Sequence, residues 1–272
     1  MPDSLFLLFA IIAYLSATVS AFRWASDSDE NRFNKSFIFA GAASLFHLIY
    51  TIRICTIGAE LNFSLSSMSV LVSGLVVWVF LLACLNMPIK RLGILVYPLT
   101  MACLVFAYAW NSPPYNLAES VGHSGSAFAA HILVSIFSYA LLAISAIQGL
   151  LYVYQENQIK KRTAPRLLMA LPPLQTMELL LFRLVGIGFI LLTFTLLSGA
   201  VFSQEIFDQP FEFKHHTVLA IMGWLVIGTL LFRRFTSGLR GSQAVIWIII
   251  GFLLIQLGYF GTKIVTESLS FQ

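Results

Sequence analysis

Eight uninterrupted apolar runs, at roughly 4–22, 36–55, 67–86, 92–110, 126–154, 179–203, 215–232 and 242–266, leave this chain little choice of fold. Each is long enough for a helix to cross a hydrocarbon layer about 30 Å thick. Backbone in lipid must satisfy its own hydrogen bonds, and no run alternates with the period of a barrel strand. The expected class is therefore all-α: a polytopic integral membrane helical bundle of about eight transmembrane helices. A composition of 58% hydrophobic and 10% charged residues excludes an ordinary soluble domain.

The basic residues then orient the bundle. Arg23, Arg32 and Lys35 follow the first run, Lys90 and Arg91 the third, Lys160, Lys161, Arg162 and Arg166 the fifth, and Arg233, Arg234 and Arg240 the seventh. With Arg183 at the start of the sixth run, 13 of the 16 Lys and Arg lie on one side, against Arg53, Lys214 and Lys263 on the other. The positive-inside rule makes the basic connections cytoplasmic and predicts both termini outside. The first run lacks a positive leading region and carries Asp3, so it reads as an uncleaved helix rather than a signal peptide. The net charge of +4 reflects this topology and contact with anionic lipid, not nucleic-acid binding.

The sequence 1–272 reads as a single membrane domain without internal repeats. The longest cytoplasmic connection, 155–178, begins basic and ends at Pro172-Pro173. Leu174, Met177, Leu181 and Leu184 then recur at helical spacing, as in an interfacial stretch leading into the sixth helix. The outer loop 111–125 is either a lid or a plain solvated turn. The outer loop 204–214 carries Phe207, Phe211 and Phe213, which form either an interfacial aromatic belt or the cover of an apolar ligand. Glu205, Asp208 and Glu212 lack a calcium-loop pattern and read as solvated. Cys55, Cys84 and Cys103 show no CxxC or CxxCH spacing and read as buried packing residues.

All five histidines lie in outer loops or within the membrane runs. His131 sits about five residues below the outer end of its helix, roughly 7–8 Å down. His215 and His216 open the seventh helix, and neighbours about 100° apart on a helix do not both reach one site. His123 reads as a loop residue. His47 lies near the midplane, where it is either a ligand or a partner in a cross-helix hydrogen bond with Ser44 and Thr51 nearby. Histidine is the usual neutral side-chain ligand for haem iron or other metals. Arg53, against the charge bias, either snorkels to lipid phosphate, pairs with Glu60 or Glu119, or meets the carboxylate of a ligand. No catalytic triad, HExxH or phosphate loop is present, so an enzyme is not expected.

The C-terminal stretch from Ser198-Gly199 through Trp224 and the basic loop Arg233 to Gly241, ending in Tyr259-Phe260-Gly261, resembles the cytochrome c assembly (CcsA-like) haem-handling family. Upstream, His131 followed by Ser138-Tyr139-Ala140 is similar to that family's helix headed by an outer haem-ligand histidine. The resemblance covers about 40–265 and is nearest the shorter YpjD-like inner-membrane branch, beside HemX-type proteins. It implies a multi-pass protein of the bacterial inner membrane that binds haem at the outer face. His131 would be one axial ligand and His215 or His216 the other, with His47 matching an early intramembrane histidine of the family. Phe211 and Phe213 would be a stacking wall, and Arg53 would contact a propionate. Where haem-handling members carry a W-x-W-D-P-K-E run, this chain reads Phe211-Glu212-Phe213-Lys214-His215-His216-Thr217. The family's inner histidine falls near Phe232, and its last outer histidine has no counterpart after Gly261.

The departures favour an alternative function: a haem-free structural or regulatory membrane protein that keeps the fold. A HemX-like control of haem metabolism would use a membrane or cytoplasmic protein partner. A transporter with a polar site around His47 would need more intramembrane charge than this chain carries.

Overall fold

The computed structural model describes residues 3–27, 30–57, 60–62, 64–86, 89–110, 112, 126–162, 172–201 and 215–270. Among the described residues the helices are α1 (Asp3–Asp27), α2 (Glu30–Cys55), α3 (Leu65–Asn86), α4 (Gly93–Trp110), α5 (Ser126–Lys160), α6 (Leu174–Val201), α7 (His215–Ser237), α8 (Gly241–Gln256) and α9 (Thr262–Ser270). Eight spans within them are long and apolar enough to cross a membrane, Gly241–Val265 counting as one. A π turn, Leu257–Gly261, links α8 to α9. A two-residue hairpin, β1 (Thr56–Ile57) with β2 (Glu60–Leu61), follows α2.

Helices outrun their apolar runs at several ends: α1 continues to Asp27, α2 starts at Glu30 and α7 ends at Ser237. The fifth helix runs on to Lys160, and the sixth begins at Leu174 rather than near 179. Hydropathy marks the part of a helix that lipid covers, whereas the α5 extension, QENQIK, is polar and the α6 extension is amphipathic. Met177, Leu181 and Leu184 are buried while Leu179 and Arg183 face outward, so the expected interfacial stretch is the first turns of α6 itself. Pro173 fits at this start, because it needs no donor there and its carbonyl accepts from Thr176 and Met177 N–H.

The chain forms two compact units, Met1–Pro114 with Tyr154–Met177, and Tyr115–Val153 with Glu178–Gln272. The divisions fall inside α5 and α6, where the sequence carries no linker.

In the first unit α1 packs on α2 and α4, and α3 packs on α2 and α4, closing a ring of four helices. The α1 stripe facing this interior is Leu7, Ala10, Tyr14, Ala17 and Ala21, with alternating spacings of three and four residues. On α2 the corresponding stripe is Ser36, Ala40, Ala43, His47 and Tyr50. Leu8, Ile12, Leu15, Leu45, Leu48 and Ile52 point outward. Lipid is as apolar as leucine, so large side chains gain little by turning inward, and small residues win the interior by letting backbones approach. The end of α2 is capped by polar side chains: Asn62 Nδ2 and Ser67 Oγ both donate to the Ile54 carbonyl, at 3.1 and 3.0 Å. The N-terminus of α3 is satisfied in the same way, Ser66 N–H donating to Ser112 Oγ at 3.1 Å.

In the second unit side-chain contacts also link four helices in a ring. Ser138 Oγ on α5 donates to the Gly188 carbonyl on α6 at 3.0 Å. Trp224 Nε1 on α7 donates to Thr193 Oγ1 on α6 at 2.8 Å, its ring stacked on Phe189. Helices α7 and α8 meet at Gly223 and Gly251, where an added Cβ would come within 2.9 Å of the opposing Gly251 carbonyl or 2.6 Å of Ile227. Helix α8 returns to α5 through Tyr139, whose hydroxyl reaches the Ile255 carbonyl. Helix α7 ends at Gly238, whose φ of +65° lets Leu239 N–H fold back to the Arg233 carbonyl. Arg234 fastens this end: it is 2.8 Å from Glu178 Oε1 on α6 and lies 4.4 Å over the Phe182 ring.

Candidate functional site

Two histidines within the spans sit in opposite hydrogen-bond environments. His47 is fully buried in the first unit, with Nε2 3.0 Å from the Val70 carbonyl on α3 and Nδ1 3.0 Å from the Tyr14 hydroxyl on α1. A carbonyl only accepts, so Nε2 carries the proton and donates. In the neutral ring Nδ1 then accepts from Tyr14. Both nitrogens are thereby committed to holding three helices together. The ring also fits against Gly74, where a Cβ would lie 3.3 Å from Nε2. The cross-helix hydrogen bond expected of His47 is present, made with Tyr14 and Val70 rather than with Ser44. Thr51 Oγ1 instead donates back to the His47 carbonyl.

His131 is arranged differently. Its Nδ1 is 2.8 Å from Ser198 Oγ across the α5–α6 contact. Ser198 Oγ is also 3.0 Å from the Thr195 carbonyl, which can only accept. The one hydroxyl proton goes to Thr195, so Ser198 accepts and His131 Nδ1–H donates. The neutral ring then has its proton on Nδ1, the tautomer of a histidine that ligates through Nε2. Gly199 leaves space for this ring, since a Cβ there would sit 3.3 Å from His131 Cε1. The Ser198-Gly199 pair therefore has a physical meaning: serine fixes the tautomer and glycine admits the ring. Serine's part in orienting His131 was not anticipated from sequence, although the pair itself was.

His215 and His216 are both exposed at the start of α7. Phe211, Phe213 and His123 lie outside the described residues. Arg53 pairs with Asp3 at the start of α1, Nε to Oδ1 2.9 Å, both side chains more than half exposed. The expected partners Glu119 and the Glu60 side chain lie outside what the structure describes. Asp3 lies 50 residues away in sequence, and only the antiparallel packing of α1 on α2 brings the two ends together. Cys55 and Cys84 are buried and Cys103 partly so, as packing residues should be.

Among the described residues no three His, Cys, Asp or Glu side chains gather in a way that could hold a bare metal ion. Haem iron makes a smaller demand, because the porphyrin supplies four ligands and protein only the axial ones. His131 is held by a hydrogen bond at Nδ1, the arrangement found behind axial histidines.

The fold defines a multi-pass integral membrane protein, with His131 fixed to Ser198 in its second unit. A profile of the family described as Cytochrome C assembly protein matches residues 42–270. The chain belongs to that family. It is 34% identical over 140 residues to the inner membrane protein YpjD of Escherichia coli K12, covering 52% of each chain. It is 30% identical over 179 residues to an uncharacterized 28.8 kDa protein of Azospirillum brasilense, covering 66% of each. To the cytochrome c biogenesis protein CcsA of Chlamydomonas reinhardtii it is 27% identical over 199 residues, 71% of this chain and 55% of that one. The chain spans about half the length of the first of these relatives. No solved structure matches it. The spans and the relatives agree on a multi-pass inner-membrane location.

Proposed function

We propose that this protein handles haem in the manner of a cytochrome c assembly factor, binding it near the outer face of the inner membrane. It performs no turnover chemistry of its own. The observation that carries the proposal is the His131–Ser198–Thr195 hydrogen-bond chain, which anchors the ring through Nδ1–H at the outer half of α5 as a metal-ligating histidine is anchored from behind. His215 or His216, at the head of α7 in the same unit, is the second axial ligand, and Phe211 and Phe213 stack on the porphyrin. Family membership and the likeness to CcsA support the reading. The basic connections face the cytoplasm, both termini face out, and Arg53, already paired with Asp3, takes no part in binding propionate.

The test is the absorbance of detergent-purified protein after haem loading. The proposal requires a Soret band at about one haem per chain that His131→Ala abolishes and His123→Ala leaves intact. A well-folded protein that takes up no haem would instead be a scaffold or regulator that keeps the fold.

A further inference from the structure

The Tyr259-Phe260-Gly261 motif is not in regular helix. It lies in the π turn Leu257–Gly261. A π turn interrupts the i→i−4 ladder, and in lipid a carbonyl displaced from that ladder must find another donor. The Ile255 carbonyl, just ahead of the turn, takes the Tyr139 hydroxyl at 3.2 Å. Tyr139 also packs edge-on against Tyr259, ring centres 6.3 Å apart. The Ser138-Tyr139-Ala140 and Tyr259-Phe260-Gly261 motifs are thus one contact, α5 holding the turn of α8.

On its other side the turn presses on α7. A Cβ on the buried Gly258 would lie 3.0 Å from the His216 carbonyl oxygen, 3.3 Å from Leu219 Cβ and 3.6 Å from Ala220 N. These are mainly backbone atoms, which cannot swing aside as a side chain does. Gln256, immediately ahead of the turn, keeps a buried Oε1 with no hydrogen-bond donor among the described residues. A turn that breaks a helix beside an unpaired acceptor is poorly explained by stability, and such local costs gather at functional sites.

We propose that Tyr139 and Gly258 are positioning residues: through the π turn they set the first turn of α7, and so the histidine that approaches haem opposite His131. The idea rests on the haem reading above. It makes α5 the reference for both ligands, carrying His131 directly and the α7 histidine through Tyr139.

The experiment compares wild type, Tyr139→Phe, Gly258→Ala and His131→Ala. Haem-loaded protein is read by absorbance and electron paramagnetic resonance. Haem-free protein is read by hydrogen–deuterium exchange of peptides covering 215–222 and 253–262. Tyr139→Phe and Gly258→Ala should keep the Soret band but lower the ratio of low-spin to high-spin iron by up to about tenfold, the scale of one lost hydrogen bond. Added imidazole should restore low spin. Both variants should speed exchange in both peptides of the haem-free protein. An unchanged spin state in both variants overturns the positioning role, whatever the exchange shows. If wild type binds no haem, the haem reading fails. Exchange then decides the coupling alone, and equal rates in wild type and both variants overturn it.

Discussion

Ser198→Ala tests the orientation of His131 with the removal of one atom. The hydroxyl accepts from His131 Nδ1 at 2.8 Å and returns its proton to the Thr195 carbonyl at 3.0 Å. Alanine leaves that N–H without its acceptor in a part-buried place, at a cost of about 1–3 kcal/mol. The ring has two ways to relieve it, by rotating or by moving its proton to Nε2, and either spoils the donor for iron. Loss of a partner behind a metal-ligating histidine typically lowers affinity about 10–100-fold. Haem titrated into purified protein and followed at the Soret band should show that loss. Ser198→Thr, which keeps a hydroxyl, should recover most of it. Wild-type affinity in Ser198→Ala would refute the tautomer argument, because the hydrogen bond would then have no bearing on the ligand.

His47→Leu should destabilise the protein by about 2 kcal/mol, read by thermal unfolding in detergent, because it strands the Tyr14 hydroxyl among apolar atoms. Adding Tyr14→Phe should return part of that loss, and haem content should not change in either variant. Arg234→Ala should cost about 1–3 kcal/mol, since it leaves the Glu178 carboxylate, 14% exposed, without its cation. Arg234→Lys should recover only part, as it cannot reproduce the flat stacking over Phe182. Arg53→Ala, which breaks an exposed pair, should change stability by no more than about 1 kcal/mol and leave haem uptake intact. A reporter active only in the cytoplasm, fused after Gln272, should be silent; activity there would overturn the proposed orientation.

The spans were legible because the bilayer imposes one length on every crossing helix, and hydropathy measures that length directly. Rotation about each helix axis was harder to read. In lipid the buried face is not the most apolar one, so the Leu7–Ala10–Tyr14–Ala17–Ala21 stripe carries its signal in small size rather than hydrophobicity. For the same reason Tyr14 went unnoticed as the partner of His47: it sits 33 residues away on a helix that begins before the family match at residue 42. His131 was legible as a ligand candidate from its depth and its neighbours in sequence. Its tautomer was not, because the tautomer depends on a serine 67 residues later and on the carbonyl that serine also meets. The π turn left no periodic trace, since one extra residue at the end of an apolar run leaves hydropathy unchanged.

The account turns on the difference between two histidines, and one measurement addresses it: the haem-to-protein ratio of His131→Ala and His47→Ala, purified alongside wild type and matched for folded protein. The prediction is that His131→Ala loses haem while His47→Ala keeps it and unfolds at lower temperature. The reverse pattern, with haem retained in His131→Ala and lost in a folded His47→Ala, would contradict the account.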